Sequence, residues 1–432
     1  MRPLTLEAEI TELSPGGDGV AICAIKGERR AVFVAGVVPG ERVRLEVDPT
    51  RRPARGRLLE VVEPSSSRVT APCRWVDRCG GCDWMFLAPE RQADEHARIV
   101  GRLLGLSVEP KSHRPARPLG YRTRARVHVE AKRKRVSVGM FARRSNAPVV
   151  VDTCIVLDPI LDRARAALAT WLEGAEGRGE AQLDLGSPGE SPRRAVLDLR
   201  WTGELPGAVF GRLERAVAEG GELAGARIFA GAVRVPATIG DPTPFISGAD
   251  GLPLRLAPGG FSQATEEGNA VLAGRVAELT RDLPPGACVE LFAGAGNLTV
   301  LLAREREVVA VEQDHAACVA ARANLEARSL STRVLEADAN AHPIPKSTSL
   351  VVLDPPREGA RAVAEALAAR ATKGRAPAIV YVACDPPTLA RDVKTLTGAG
   401  YTIRNVETFE MFPQTSHVET VVVLVPPGRD AA

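Results

Sequence analysis

The chain has 432 residues, 45% of them hydrophobic and 25% charged, with a formal net charge of +3. This composition excludes a disordered polyelectrolyte, and the length calls for two or three cores, not one. No stretch approaches the roughly 20 apolar residues of a membrane span, and the N-terminus carries no secretory pattern, so no membrane partner and a cytoplasmic location are expected.

Residues 1–63 read as a small β unit. Strand-like runs at 4–13, 19–25, 30–34, 42–47 and 56–62 are punctuated by Pro15-Gly-Gly, Lys26-Gly and Pro39-Gly-Glu turns. Short strands at this spacing predict a small barrel of a type often used on nucleic acids. Charge supports that use. Eight Arg fall between Arg29 and Arg57, and twelve Lys or Arg against the single acid Glu130 fall between Lys111 and Arg144. A basic surface of this kind suits a polyanion.

Residues 64–255 read as a central α+β domain. A helix is expected over 89–104, strands over 123–130, 136–141, 181–185 and 194–201, and a helix over 158–173. Cys73, Cys79 and Cys82 form a C-x5-C-x2-C run, with Cys154 downstream. In a cytoplasmic protein such spacing points to metal ligation, not to disulfides.

From 256 to 432 helices and strands alternate. Near-continuous apolar strands at 288–292, 308–312, 333–336, 350–353, 378–382, 401–409 and 419–425 imply a sheet covered on both faces, with an antiparallel last strand allowed. The loop Phe292-Ala-Gly294-Ala-Gly296-Asn297 follows the first of these strands and opens a helix expected over 297–304. Position 299 is Thr where a dinucleotide fingerprint has its third glycine, so Gly-Ala-Gly-Asn suits S-adenosylmethionine better than a pyrophosphate. Glu312, at the end of the next strand, is placed to receive ribose hydroxyls. Asp338 fits the adenine side, and Asp354 is held at the same sheet edge by the prolines that follow it.

Cys384 sits at a strand exit just before Asp385-Pro-Pro and a helix, where a helix N-terminus is expected to lower its pKa. Glu419 begins the last strand and is the natural base, with His417 second. A thiolate nucleophile, a base and a methyl-donor pocket together point to methylation of a carbon that cannot attack unaided. Carbon 5 of uracil, activated by thiolate addition at carbon 6, is such a carbon.

Phe261-Ser-Gln263, Glu290-Leu-Phe292-Ala-Gly-Ala-Gly-Asn297, Asp354-Pro-Pro-Arg, Tyr381-Val-Ala-Cys384-Asp-Pro-Pro and Met411-Phe-Pro-Gln-Thr-Ser-His-Val-Glu419 are motifs with a family likeness. On them the chain resembles the class I RNA uracil-5-methyltransferases of the type with a TRAM domain and an iron–sulfur cluster, over nearly its whole length. The resemblance implies a TRAM/OB-like barrel, a central domain bearing the cluster, and a Rossmann-like methyltransferase domain. It implies Cys384 as nucleophile, Glu419 as base, and Gln263, Phe292, Asn297, Glu312, Asp338 and Asp354 around the cofactor. It implies a [4Fe–4S] cluster on Cys73, Cys79, Cys82 and Cys154, with zinc as the rival metal. Ala293 and Asp385 depart from the family's Cys and Asn, and tuning without loss of activity is expected from both.

The implied substrate is large-subunit ribosomal RNA, 23S rRNA in bacteria, with the T-loop uridine of transfer RNA as the alternative and a monomer as the default state. Two other classes stay open. An exocyclic-amine methyltransferase would leave Cys384 idle, and a non-catalytic RNA-binding or assembly protein would have no use for the reacting pair.

Overall fold

The computed structural model describes residues 3–132, 135–218, 220–232, 234–374 and 376–428. The first sheet has six strands in the order Leu4–Glu9, Arg42–Val47, Ala54–Glu63, Glu28–Val34, Gly19–Ile25 and Glu12–Leu13. Ile10, Ile25, Val32, Val34, Val43 and Leu45 fill its inner side. The run expected as one strand over 4–13 is broken, because Ile10 donates its N–H to Glu41 O and the chain turns there. Its two halves therefore occupy opposite edges of the sheet.

The second sheet has seven strands in the order Pro148–Val150, Arg135–Phe141, Arg124–Lys132, Glu176–Leu185, Ala195–Glu204, Leu223–Ala230 and Ala237–Gly240. Along Arg124–Lys132 the period of two is plain. Ala125, Val127, Val129 and Ala131 are buried with the helices Pro159–Trp171 and Gly207–Ala218, while Arg126 and Lys132 face solvent. The helix Gly207–Ala218 and the strands after it have no counterpart in the sequence reading.

The third sheet positions the chemistry. Its eight strands run Arg333–Glu336, Val308–Glu312, Cys288–Leu291, Leu350–Leu353, Ala378–Ala383, Glu419–Val425, Thr402–Phe409 and Lys111–His113. The first five are mutually parallel, and Glu419–Val425 is antiparallel to both of its neighbours. Every residue of Leu350–Leu353 and of Ala378–Ala383 is buried, as strands covered on both faces require. The result is a mixed α/β protein with a Rossmann-like third unit.

Two expectations shift here. The segment expected in the central domain at 89–113 gives the third sheet a helix, Pro89–Leu104, and an edge strand, Lys111–His113. A charged knot fixes that edge: against the upward push of burial, hydrogen bonds from Arg275, Asn405 and His113 pull Glu407 down to about 2. The helix expected over 297–304 shortens to Thr299–Leu302, since Gly294 and Gly296, both at positive φ, hold the preceding residues in a turn.

Candidate active site

In open α/β sheets, ligands lie at the carboxyl ends of the strands near the point where strand order reverses. Here that point falls between Cys288–Leu291 and Leu350–Leu353. Reading across the same edge, the strand order delivers Asp338, Glu312, Phe292, Asp354, Cys384 and Glu419 in succession. Five come from the exits of parallel strands. Glu419 comes from the start of the antiparallel one, which is why it reaches the same edge. The register pairs Ala383 with Thr420, so the next rung sets Cys384 beside Glu419.

Buried acids dominate this edge. Burial, then the neighbouring Asp354 charge, pushes Glu419 up to about 8, with Arg357 opposing. Burial pushes Asp354 to about 7 and, with further carboxylates nearby, Glu290 to about 8. The Cys384 thiol is pushed up to about 12, by burial first and then by the charges of Glu419 and Asp354. The expected lowering of its pKa is thereby overturned. The helix Pro386–Gly398 does begin just after Cys384, but Asp385 caps it by accepting from Thr388 N at 2.9 Å and adds one more negative charge. The helix-end effect is a matter of roughly 0.3–1 kcal/mol, too little to offset burial beside several carboxylates.

The rest of the cofactor-side residues include buried polar atoms without partners. Gln263 Oε1, Glu290 Oε2 and Thr299 Oγ1 are buried without a hydrogen-bond partner, which is costly unless a ligand supplies one. Phe292 has a φ of 64°, a backbone conformation unusual for a side-chain-bearing residue and frequent at ligand sites. Glu312 accepts from Gly294 N at 2.9 Å and from Asp314 N at 2.7 Å, tying the glycine loop to the neighbouring strand. Asn297 exchanges amide hydrogen bonds with Asn269 at 2.7 and 3.0 Å, so its side chain braces the loop against the helix Glu266–Arg281. Asp338 is exposed and accepts from Asn340 N at 2.9 Å.

A cleft of about 420 Å³ opens over Cys384, lined among others by Gly16, Gly80, Arg143, Arg144 and His417. It is therefore built by all three sheets. His417 is exposed to it, and desolvation by its surroundings, then the Arg357 charge, lowers its pKa. Much of the basic run 111–144 is used internally: Arg114 pairs with Asp94, Arg117 with Glu267, Arg126 with Glu180 and Arg144 with Asp18. Arg133 and Lys134 of that run lie outside the described residues. The sequence reading placed Arg143 and Arg144 in a basic run and marked the Gly16 turn, but it had no signal that these residues, brought in from other sheets, meet over Cys384.

Cys73, Cys82 and Cys154 pack around Met85, Tyr121 and Val156. Burial pushes the Cys82 thiol far up, and the charges of Cys154, Cys79 and Cys73 push it further, so the four sulfurs share one neighbourhood. Backbone N–H groups already point at two of them, Trp75 N at Cys73 Sγ and Gly81 N at Cys79 Sγ, both 3.4 Å. Among the described residues, no three His, Cys, Asp or Glu side chains stand in metal-holding geometry.

Comparison with known proteins agrees with this edge. Residues 346–426 match the family model of tRNA (Uracil-5-)-methyltransferase, and residues 252–376 match that of a methyltransferase small domain. A 23S rRNA (uracil(1939)-C(5))-methyltransferase RlmD of Pseudomonas entomophila is 33% identical over 94% of this chain and 91% of its own length. The protein of the same name from Halomonas elongata is 33% identical over 98% of this chain and 89% of its own. The crystal structure of Pyrococcus abyssi tRNA (uracil-54, C5)-methyltransferase in complex with S-adenosyl-L-homocysteine superposes with a TM-score of 0.75 at 21% identity, covering 97% of this chain and 100% of that one.

Proposed function

We propose, because the chain belongs to the family of S-adenosylmethionine-dependent RNA uracil-5-methyltransferases, that its target is the uridine equivalent to position 1939 of 23S ribosomal RNA. The observation that carries the chemistry is the rung that sets Cys384 beside Glu419 at the sheet edge. The relatives named for this ribosomal uridine match nearly the whole chain, which favours it over a transfer RNA target.

The donor pocket fits its ligand class. Orphaned Gln263 Oε1 and Glu290 Oε2 await donors, and the Phe292–Asn297 loop, Glu312, Asp338 and Asp354 lie along the same edge. When bound there, S-adenosylmethionine supplies an electrophilic methyl group. The chain supplies the rest. The target base is extruded into the cleft over Cys384. Cys384 gives its thiol proton to solvent in the cleft, the resulting thiolate sulfur adds to carbon 6, and the ring electrons move to oxygen 4 as an enolate, which makes carbon 5 nucleophilic. After methylation, the Glu419 carboxylate takes the carbon-5 proton, the sulfur–carbon bond breaks, and the thiolate leaves. A carboxyl raised to about 8 is a stronger base than an exposed one and titrates in the working range.

The first sheet is read as a TRAM-type barrel, supported by its single bent strand at both edges. Cys73, Cys79, Cys82 and Cys154 are read as the ligands of a [4Fe–4S] cluster. Four clustered sulfurs and amides aimed at two of them suit thiolates held by a cationic metal group. The cluster's role is structural, since polar methyl transfer moves no electrons.

The test is to incubate anaerobically purified protein with labelled S-adenosylmethionine and, separately, unmodified 23S ribosomal RNA and transfer RNA. Label mapped to 5-methyluridine at position 1939 is expected. Label in the T-loop instead would transfer the assignment to transfer RNA, and no label in either would end it.

A further inference from the structure

The loop Met411–Val418 delivers Glu419, and beyond its local turn bonds, such as Thr415 Oγ1 to Phe412 O at 2.8 Å, it is fastened from a distant part of the chain. Gln414 sits at a φ of 71°, a left-handed conformation that a residue with a side chain keeps only when its surroundings impose it. Those surroundings all come from residues about 300 positions earlier in the chain. Asp83 Oδ1 accepts from Ser416 N at 2.8 Å, and Asp83 Oδ2 is 2.7 Å from Ser416 Oγ, which donates to it. Asp83 N and Trp84 N both donate to Gln414 O, at 3.1 and 3.0 Å. Gln92 accepts from Gln414 N at 2.7 Å, and Tyr121 donates to Pro413 O at 2.9 Å. Each consecutive residue from 413 to 416 is thus tied to the segment 83–121, the Thr415 carbonyl being 3.2 Å from His96 Nε2.

Asp83 is the tie nearest the base and the only carboxylate among them. It follows Cys82 directly and faces Gly17 of the first sheet, where a Cβ would lie 2.3 Å from Asp83 Oδ2 and 3.0 Å from Ser416 Cβ. Glycine at that turn leaves room for the carboxylate to stay on Ser416. Two residues, His417 and Val418, separate Ser416 from Glu419, and His417 faces the cleft. Cys384, in contrast, is placed by the strand Ala378–Ala383 and the helix after it and makes none of these contacts.

We infer that Asp83 is a positioning residue for base catalysis: its carboxylate clamps Ser416 and thereby fixes the angle at which Glu419 meets carbon 5 of the substrate. The inference rests on Glu419 being the base. A misplacement on the order of 1 Å at a reacting group can lower a rate by about 100-fold. Loss of the clamp therefore slows the step that uses Glu419 and spares the step that uses Cys384.

The test compares D83A and D83N, with E419A alongside, using the intact protein and a uridine-containing fragment of 23S ribosomal RNA. The expected result for D83A is a kcat lower by roughly 10- to 100-fold, with the KM for S-adenosylmethionine unchanged. A covalent protein–RNA adduct should also accumulate, visible as a shifted band on denaturing gels. Asn keeps one oxygen for Ser416 N and an amide that can donate to Ser416 Oγ, so D83N should recover most of the rate. Three outcomes overturn the inference: D83A with wild-type kcat, D83A with raised RNA KM and intact kcat (direct substrate contact), or equal loss in D83A and D83N without adduct. If E419A itself accumulates no adduct, the base assignment falls; if E419A accumulates adduct and D83A does not, only the clamp falls.

Discussion

Cys384 and Glu419, the proposed nucleophile and base, sit side by side, but the molecule secures them in opposite ways. Cys384 leaves a strand whose six residues are all buried, and it is followed at once by a capped helix. Its position is local and redundant. Glu419 begins an equally buried strand, but the loop leading into it is fastened by side chains of the Cys-rich segment and the helix Pro89–Leu104. The difference teaches that one catalytic group is a property of the sheet, whereas the other is a property of how three units meet.

The largest effect expected is at the local end. C384A should abolish turnover and covalent trapping on 5-fluorouridine RNA while leaving S-adenosylmethionine binding intact by calorimetry. Residual methylation would show that the thiol is not the nucleophile. E419A should lose about 10²- to 10⁴-fold in kcat, the usual range for a general base, and should retain the adduct that C384A cannot form.

Moving to the interface between units, E407Q removes the carboxylate that Arg275, Asn405 and His113 hold. A folded-state value of about 2 lies below the ordinary one, so this carboxylate stabilises the fold above pH 4.5, and that stability is lost as pH falls toward 2. E407Q should lower stability at pH 7 by on the order of 2–4 kcal/mol, measured by urea denaturation, with a much smaller difference from wild type near pH 3. An unchanged midpoint at pH 7 would mean that the edge strand Lys111–His113 needs no charged anchor.

The smallest effect sharpens the comparison at the nucleophile. Both reacting groups hold protons more tightly than usual, so kcat/KM for RNA should rise with pH through 8. D385N deletes one of the charges that raise the Cys384 thiol and keeps a helix-capping oxygen. It should raise kcat/KM at pH 7 about two- to fivefold. A pH profile identical to wild type would remove Asp385 from the electrostatics of the thiol.

The same contrast explains what the sequence revealed. Strands covered on both faces announce themselves as apolar runs, so 308–312, 350–353 and 419–425 were readable to the residue, and the groups at their ends with them. Lys111–His113 was not readable: three polar residues become a strand only because Thr402–Phe409 offers an open edge. The raised Cys384 thiol was missed for a related reason. Its causes are burial and then the charges of Glu419 and Asp354, groups on separate strands that meet only in the folded sheet. Asp83 and Gln92 carry no local pattern at all; what marks them is a contact across some 320–333 residues with the 411–419 motif.

A ribosome releases the Asp83–Tyr121 cradle long before it releases the loop that the cradle holds. During synthesis the cradle and the first two sheets can therefore form while the last strand is still inside the exit tunnel. A nascent chain at that stage carries Cys384 but does not yet have Glu419 in place. The two neighbouring groups come together only when residues 411–425 dock on the cradle that the earlier segment has already built.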